Sequence, residues 1–471
     1  MIIKTKRFAY DILKEYYDYC EKTETISYFN GCTTVLGARK VGKTILLKQL
    51  CEVEPSKSYY MDCTDMPETF DFESFYEKCL SKGVSRVFLD EVCKVPDDII
   101  ADFIESTKLY SAKILITITG SVKLSVSKLS SRIGRGRTIE LPPISYTEQI
   151  GWEGVSSSSS ELLLNFLRSG NITVEQNTKD SYWLNYINSV VEDTLNSYLR
   201  RTSIEKMNIP STNKIFDALK YISLCQFIYR KDDGSFVDIP ALPRKIKSSI
   251  PDFKKLKVKY ELSKQDIVET CKVLFAAGLA RRIDGATSSV LNALSVDNTA
   301  VLHRVDEDVP ALLFEYPWFA SYAISTEIED YAGLLDFRLE NELMLRMTYL
   351  YRVVDKYRDL DSNELDIVYT VGDCFDSGLY AVECKNRVSS NIQNSDIRHY
   401  LSLKTSLNLN ELVISCSDKT EISSDYSFVR NDILLTALDK AYFKRCHDDF
   451  LGDSCGLYCN KSVLELIARQ S

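Results

Sequence analysis

The residues Gly37-Ala38-Arg39-Lys40-Val41-Gly42-Lys43-Thr44 follow the apolar run Thr33-Thr34-Val35-Leu36 and lead into Ile45-Leu46-Leu47. Two glycines at that spacing let the backbone turn tightly, so that several N–H groups face one point. The amino end of a following helix adds positive potential at the same place. Lys43 offers a cation that can reach terminal phosphates, and the Thr44 hydroxyl offers an oxygen to Mg²⁺. Residues Gly37 to Ile45 therefore have the chemistry to grip a triphosphate.

A cradle of this kind needs a carboxylate from a neighbouring strand. Arg86-Val87-Phe88-Leu89-Asp90-Glu91-Val92 provides one. Its apolar run ends at Asp90, suited to the Mg²⁺ shell, and then Glu91, suited to polarise an attacking water. A further apolar run, Ile114 to Thr119, ends in Thr119-Gly120-Ser121. Open α/β sheets bind ligands beyond the carboxyl ends of their strands, so Ser121 is a candidate sensor of the γ-phosphate.

A second set of reactive side chains lies towards the carboxyl end. Glu340 or Glu342 sits in the helical pattern "RLENELML", Asp366 near the start of "ELDIVYTV", and Glu383 and Lys385 in "YAVECKNR". Residues two apart on a strand project from one face. Carboxylates from two strands can hold Mg²⁺ against a scissile phosphate, while a lysine positions or deprotonates water. Glu340, Asp366, Glu383 and Lys385 follow the order of a PD-(D/E)xK nuclease core. The basic neighbours Lys385, Arg387, Arg398 and His399 can face a phosphate backbone or simply solvent.

The elements that must carry these groups are legible as patterns. Strands are expected at Thr33–Leu36, Ser58–Asp62, Val84–Asp90, Ile114–Thr119 and Thr138–Leu141, alternating with helices in the manner of an α/β P-loop NTPase fold. Residues 1–150 form this expected core. The serine run from Val155 to Glu161 reads as a solvated loop. Helical spacing through Arg201 suggests a helical lid over 151–205. In 206–325, "SKQDIVETCKVLFAAGLARRI" opens on a capping serine, stops at Gly278 and turns into a strand, as a winged-helix unit does. Residues 326–471 read as a separate α/β module resembling restriction endonucleases.

Bulk properties narrow the classes. The chain has 471 residues, too many for one ordinary core, and a net charge of −9, so attraction to nucleic acid would need a local basic face. The first ten residues, "MIIKTKRFAY", lack an export signal, and no apolar stretch is long enough for a bilayer. Cytoplasmic residence without membrane contact is the expectation. Fourteen scattered cysteines suit free thiols in a reducing compartment. Cys446, His447, Cys455 and Cys459 are the one dense group. They lack paired CxxC spacing, which favours ordinary thiols over zinc.

"GARKVGKTILLKQL", "FLDEVCKVPDDI", "ITITGS" and "RIGRGRTIELPPISYTEQ" together resemble the prokaryotic AAA-type ATPases that carry a C-terminal domain of unknown function. The resemblance covers roughly residues 1 to 205 and, more loosely, the remainder. It implies ATP and Mg²⁺ as cofactors. It also gives Arg135, eight residues before Pro143, the place of the family arginine, with Arg132 and Arg137 close by. Such an arginine can stabilise charge on a γ-phosphate, including that of a second copy. Cys93 and Ile45 depart from the family pattern at positions not needed for phosphate or metal. The C-terminal domains of the family and its relatives often look like the PD-(D/E)xK fold.

Two functions follow as expectations. One is an ATPase coupled to a nuclease-like module acting on or binding DNA. The other is an ATP-dependent switch whose C-terminal half binds protein and cuts nothing. A small-molecule kinase is disfavoured, because no acceptor-binding lid follows the Asp90 strand.

Overall fold

The computed structural model describes residues 6–22, 32–38, 41–134, 136–153, 159–169, 211–225, 229–230, 236–237, 257–258, 260–282, 303–304, 309, 312–314, 334–351, 354–358, 364–371, 378–451 and 459–469. Strands β1 (Thr33–Leu36), β2 (Ser58–Asp62), β3 (Arg86–Asp90), β4 (Leu115–Thr119) and β5 (Thr138–Glu140) make a sheet in the order β2-β3-β4-β1-β5. Every pairing in it is parallel. β1, β3 and β4 are buried along their whole length, which is why they read as continuous apolar runs. β3 and β4 begin slightly later than the pattern suggested, and β5 ends at Glu140.

Helices cover both faces. α1 (Phe8–Lys22) and α2 (Lys43–Val53) bring Tyr17, Leu46 and Leu47 against Val35 and Phe88. On the other face, α3 (Phe72–Ser81), α4 (Ile100–Tyr110) and α5 (Lys123–Ile133) pack Tyr76, Phe103 and Val126 on Val87, Leu89 and Ile118. Because β4 lies between β1 and β3, the loops leaving β1 and β3 diverge around its tip. That opens the kind of crevice in which such sheets take ligands.

Beyond the sheet come α6 (Tyr146–Glu153), α7 (Ser159–Ser169) and α8 (Thr212–Cys225), followed by short strands β6 (Tyr229–Arg230) and β7 (Phe236–Val237). The remainder of the expected lid, from residue 170 to 205, lies outside the described residues. α9 (Lys264–Ala277) starts in a reciprocal capping box between Ser263 and Asp266 and ends on Gly278 at φ 69°, as its sequence suggested. It runs into β8 (Ala280–Arg282). β9 (His303–Arg304) pairs with β6, and β10 (Leu312–Phe314) pairs antiparallel with β8.

The carboxyl-terminal portion opens with α10 (Leu334–Thr348). A mixed sheet follows, of β11 (Val354–Arg358), β12 (Glu364–Val371), β13 (Gly378–Glu383), β14 (Glu411–Cys416) and β15 (Ser427–Arg430), in sequential order. The first two pairings are antiparallel and the last two parallel. The β13–β14 crossover carries α11 (Asn394–Ser406), which covers one face through Tyr400 and Leu403. α10, α12 (Asn431–Leu451) and α13 (Val463–Ala468) cover the other, with Leu343, Leu434, Leu438 and Val463 on Ile367, Val382 and Val413.

α12 also packs on the first sheet's helices. Phe443 stacks on Phe8 at 4.4 Å, Phe450 meets Tyr16 edge-on at 5.1 Å, and the Tyr442 hydroxyl donates to Glu140 O at 2.8 Å. Asp439 on the same helix pairs with Arg346 at 3.1 Å and accepts from the Thr147 amide at 3.0 Å. Arg346 bonds Glu342 as well, and all three charged side chains are buried. Among the described residues, no helix is long and apolar enough to cross a membrane.

Candidate functional site

The loop after β1 has no room for a side chain at Gly37. A Cβ on Gly37 would sit 2.5 Å from Leu141 O and 2.9 Å from Val41 Cγ2. Gly42 caps α2 with φ 92° and ψ 18°, a left-handed conformation that L-residues adopt at a cost. Gly42→Ala is expected to destabilise the fold by about 1–2 kcal/mol. A lowered midpoint in denaturant unfolding would register it, and an unchanged midpoint would contradict this backbone geometry. Arg39 and Lys40 lie outside the described residues. Lys43 is buried, with Nζ donating to Gly37 O at 2.9 Å and Ala38 O at 2.7 Å, so its cation is folded back onto the loop.

Asp90 stands across from the loop. It is buried, and the Tyr60 hydroxyl donates to it at 3.0 Å. Burial, with the Glu91 carboxylate adjacent, raises the Asp90 carboxyl above its ordinary range, partly offset by Thr44 and Tyr60. Glu91 has φ 53°, in the left-handed region, where a non-glycine residue costs energy and is found mostly at functional sites. Its carboxylate accepts from the Ser121 amide at 3.1 Å and from the Ser121 hydroxyl.

Strand alternation puts Thr119 on the same face of β4 as Thr117, whose hydroxyl bonds Tyr17 of α1 at 2.6 Å. Thr119 is fully buried, and its hydroxyl has no hydrogen-bond partner. An orphaned hydroxyl at the strand tip between the loop and Asp90 is well placed for a ligand oxygen. The sequence reading assigned the sensing role in the Thr119-Gly120-Ser121 tip to Ser121; Thr119 is a further candidate.

The arginines at the end of α5 lie elsewhere. β5 runs parallel to β1, so residues 132–137 precede it at the end of the sheet opposite the loop. Four strand residues, about 13 Å, separate the two ends. Arg132 is exposed, and Arg135 lies outside the described residues. Arg137 O accepts from the Thr34 amide, and its guanidinium lies over the Tyr16 and Phe450 rings at 5.2 and 5.9 Å. Arg137 is thus packed between α1 and α12, away from its own chain's loop.

Two side chains at the site had no reading from sequence. Arg7 is buried beside Gly42, with Nε on Glu148 Oε1 at 2.8 Å, Nη2 on Pro142 O at 2.8 Å and Nη1 on Val41 O. Glu148 also accepts from the Phe8 and Ser145 amides, and Ser145 Oγ accepts from the Glu148 amide in a capping box. Burial works against the Glu148 carboxylate, yet Arg7 and these amides hold its pKa below the ordinary range. The Ser145-x-x-Glu148 spacing is a signal that finds the cap; nothing in the pattern finds Arg7.

In the second sheet, Asp366 and Glu383 are brought together on adjacent strands. Lys385 Nζ lies 2.6 Å from Glu383 and 4.0 Å from Asp366. Asp366 Oδ2 accepts from the Cys384 amide at 2.7 Å. Burial, and then the Asp366 charge, push Glu383 up to about 8, against the pull of Lys385. The Tyr400 hydroxyl also favours the ionised form of Glu383. Glu340 lies close enough for the Asp366 charge to act on it. It pairs with Lys356, while burial, with Asp366 contributing, raises its carboxyl to about 7. Among the described residues no three His, Cys, Asp or Glu side chains gather as a metal cage. His447 bonds Glu15 at 3.0 Å, and Cys455 lies outside the described residues.

Residues 30–150 match the family model of the AAA domain. No curated protein matches the chain. Among solved structures, AMPPCP-bound DnaA from Aquifex aeolicus is 14% identical over 53% of this chain and 93% of its own, with a TM-score of 0.25. The RuvB Holliday junction branch migration motor from Thermotoga maritima is 15% identical over 58% and 88%, with a TM-score of 0.24. A signal transduction ATPase with numerous domains and a tetratricopeptide repeat sensor, from Pyrococcus horikoshii, is 12% identical over 70% and 60%, at 0.26. By the family match, residues 30–150 are an AAA-type ATPase domain, a class that binds ATP.

Proposed function

We propose that this protein hydrolyses ATP at the crevice between the Gly37–Thr44 loop and Asp90, and that turnover acts on a C-terminal module that binds or cuts DNA. The observation that carries the first part is the buried Asp90 carboxylate facing Thr44 and Lys43 of the loop, with Glu91 beside it. A hydroxyl and a buried carboxylate are hard oxygen donors that suit Mg²⁺, and a cation there would restore the ionised form that burial disfavours. Thr44 and Asp90 would hold that metal, which neutralises charge on the phosphates when bound. The amides of Gly37 to Ile45 and Lys43 bind the phosphate oxygens, and Thr119 and Ser121 face the γ-phosphate. Glu91, once released by Ser121, takes a proton from water as its oxygen attacks phosphorus and the bond to the β-phosphate oxygen breaks. Calorimetric titration with ATP and Mg²⁺, followed by a phosphate-release assay, tests this reading.

The arginine position adds a requirement for self-association. Arg132 and Arg137 belong to the strand-entry end of the sheet, so an arginine finger from this segment, with Arg135 as its first candidate, would serve a second copy's nucleotide. The lid at 151–205, the winged-helix unit at 206–325 and the tail from 326 stand as parts of the same proposal, as does a cytoplasmic setting.

For the tail, the mixed sheet that joins Asp366, Glu383 and Lys385 favours a nuclease-like site, with Mg²⁺ on the two carboxylates. Asp366→Ala and Lys385→Ala are each expected to abolish Mg²⁺-dependent cleavage of DNA while ATP hydrolysis continues at the wild-type rate. Cleavage by either variant would remove these residues from the chemistry. The alternative, a switch whose tail binds protein, is favoured by the net charge of −9 and by Glu340 pairing with Lys356. Failure of the wild type to cut any nucleic acid with Mg²⁺ or Mn²⁺ would decide for it.

A further inference from the structure

We infer that Arg7 is a positioning residue of the ATP site, gripping Val41 O from behind the loop so that the Gly42 amide faces the phosphates. This rests on the ATP reading above. A trans peptide is planar, and its C=O and N–H point in opposite directions. Val41 O and the Gly42 N–H belong to one such unit, so fixing the carbonyl on one side directs the amide to the other. Arg7 fixes it through Nη1, and the side chain lies directly against Gly42. A Cβ there would meet Arg7 Cγ and Cδ at 3.8 Å.

The guanidinium is itself immobilised. Its other donors are committed to Pro142 O and Glu148, and Glu148 is oriented in turn by the Phe8 and Ser145 amides. Both charged side chains are more than nine-tenths buried, at 4% and 7% exposure, so water does not compete for these bonds. Gly42 is also the residue whose left-handed backbone starts α2, where an error in peptide orientation would propagate to the Lys43 and Thr44 amides. A planar fork reaching three acceptors at once suits arginine, and lysine cannot reproduce it.

The test separates this role from a merely structural pin. Replacing a buried ion pair by uncharged residues of similar size is often neutral for stability. The double variant Arg7→Met/Glu148→Gln removes the grip on Val41 and keeps one carbonyl oxygen. Glu148 accepts the Phe8 and Ser145 amides on Oε1 and Oε2, so that oxygen can serve one of them but not both. We expect the melting temperature to fall by no more than the loss of that one amide bond, and the ATP affinity to drop by about 10- to 100-fold, the effect of one lost charge-assisted hydrogen bond. The affinity is read by calorimetry with a non-hydrolysable ATP analogue and Mg²⁺, and as a rise in KM larger than the fall in kcat.

Arg7→Lys, which keeps the charge opposite Glu148, should restore the melting temperature fully and the affinity only in part. If the double variant does not fold, Arg7→Lys decides alone. Wild-type affinity in a folded variant would reduce Arg7 to a packing residue. No binding by the wild type would instead overturn the ATP reading, and this inference with it.

Discussion

Lys43→Ala should lower ATP affinity by about 10²- to 10³-fold, equivalent to about 3–4 kcal/mol for removing one partner of a desolvated charged contact. The side chain is buried, and its ammonium now rests on the carbonyls of Gly37 and Ala38. It needs only to swing from the loop's own oxygens to those of a phosphate. Alanine removes the cation that offsets the triphosphate charge; the loop carbonyls give up their donor on binding in the wild type as well, so the lost phosphate contact carries the effect. Titration of the variant with ATP and Mg²⁺ reads the effect directly. Undiminished affinity would mean that the nucleotide sits elsewhere.

Glu91→Gln should leave binding near the wild-type level and slow hydrolysis by about 10²- to 10⁴-fold, the usual worth of a positioned general base. The substitution preserves size and retains an oxygen for the Ser121 amide, so the left-handed turn after β3 survives. Single-turnover hydrolysis of prebound ATP separates the chemical step from nucleotide exchange. A variant that hydrolyses at the wild-type rate would move the base to another group. Asp90 is a poor substitute, because its oxygens are taken by the Tyr60 hydroxyl and the Glu91 amide.

Much of the nucleotide domain was legible because its signals are local. Gly37 and Gly42 are required by close approach and by positive φ, and β1 and β2 begin and end where their apolar runs do. The caps of α9 at Ser263 and Gly278 are similarly short-range. Arg7 was not legible, because its partner Glu148 lies 141 residues away and one arginine at the entry to a helix carries no pattern. Thr119 was passed over for Ser121 because only the folded sheet reveals a hydroxyl with nothing to bond. In the tail, strand spacing was enough to bring Glu383 beside Asp366. It could not show that Glu340 is neutralised by Lys356, since that depends on how α10 is rotated against β11. α12 escaped notice for a related reason. A helix apolar on several sides has no single stripe to betray which neighbour each side faces.

That many-sided helix gives the polypeptide no clean seam. Asn431, at its start, donates to Lys385 O at 3.1 Å; Asp439 meets the turn that holds Arg7's partner; Phe443 and Phe450 lie on α1. From Asn431 to Asp439 is about 12 Å of unbroken helix. A tail excised on its own would expose an oily flank, and the remaining ATPase portion would lose the cover of Phe8, Tyr16 and the Arg137 stack. Sequence-based division of such a chain into modules describes how it is written rather than how it holds together.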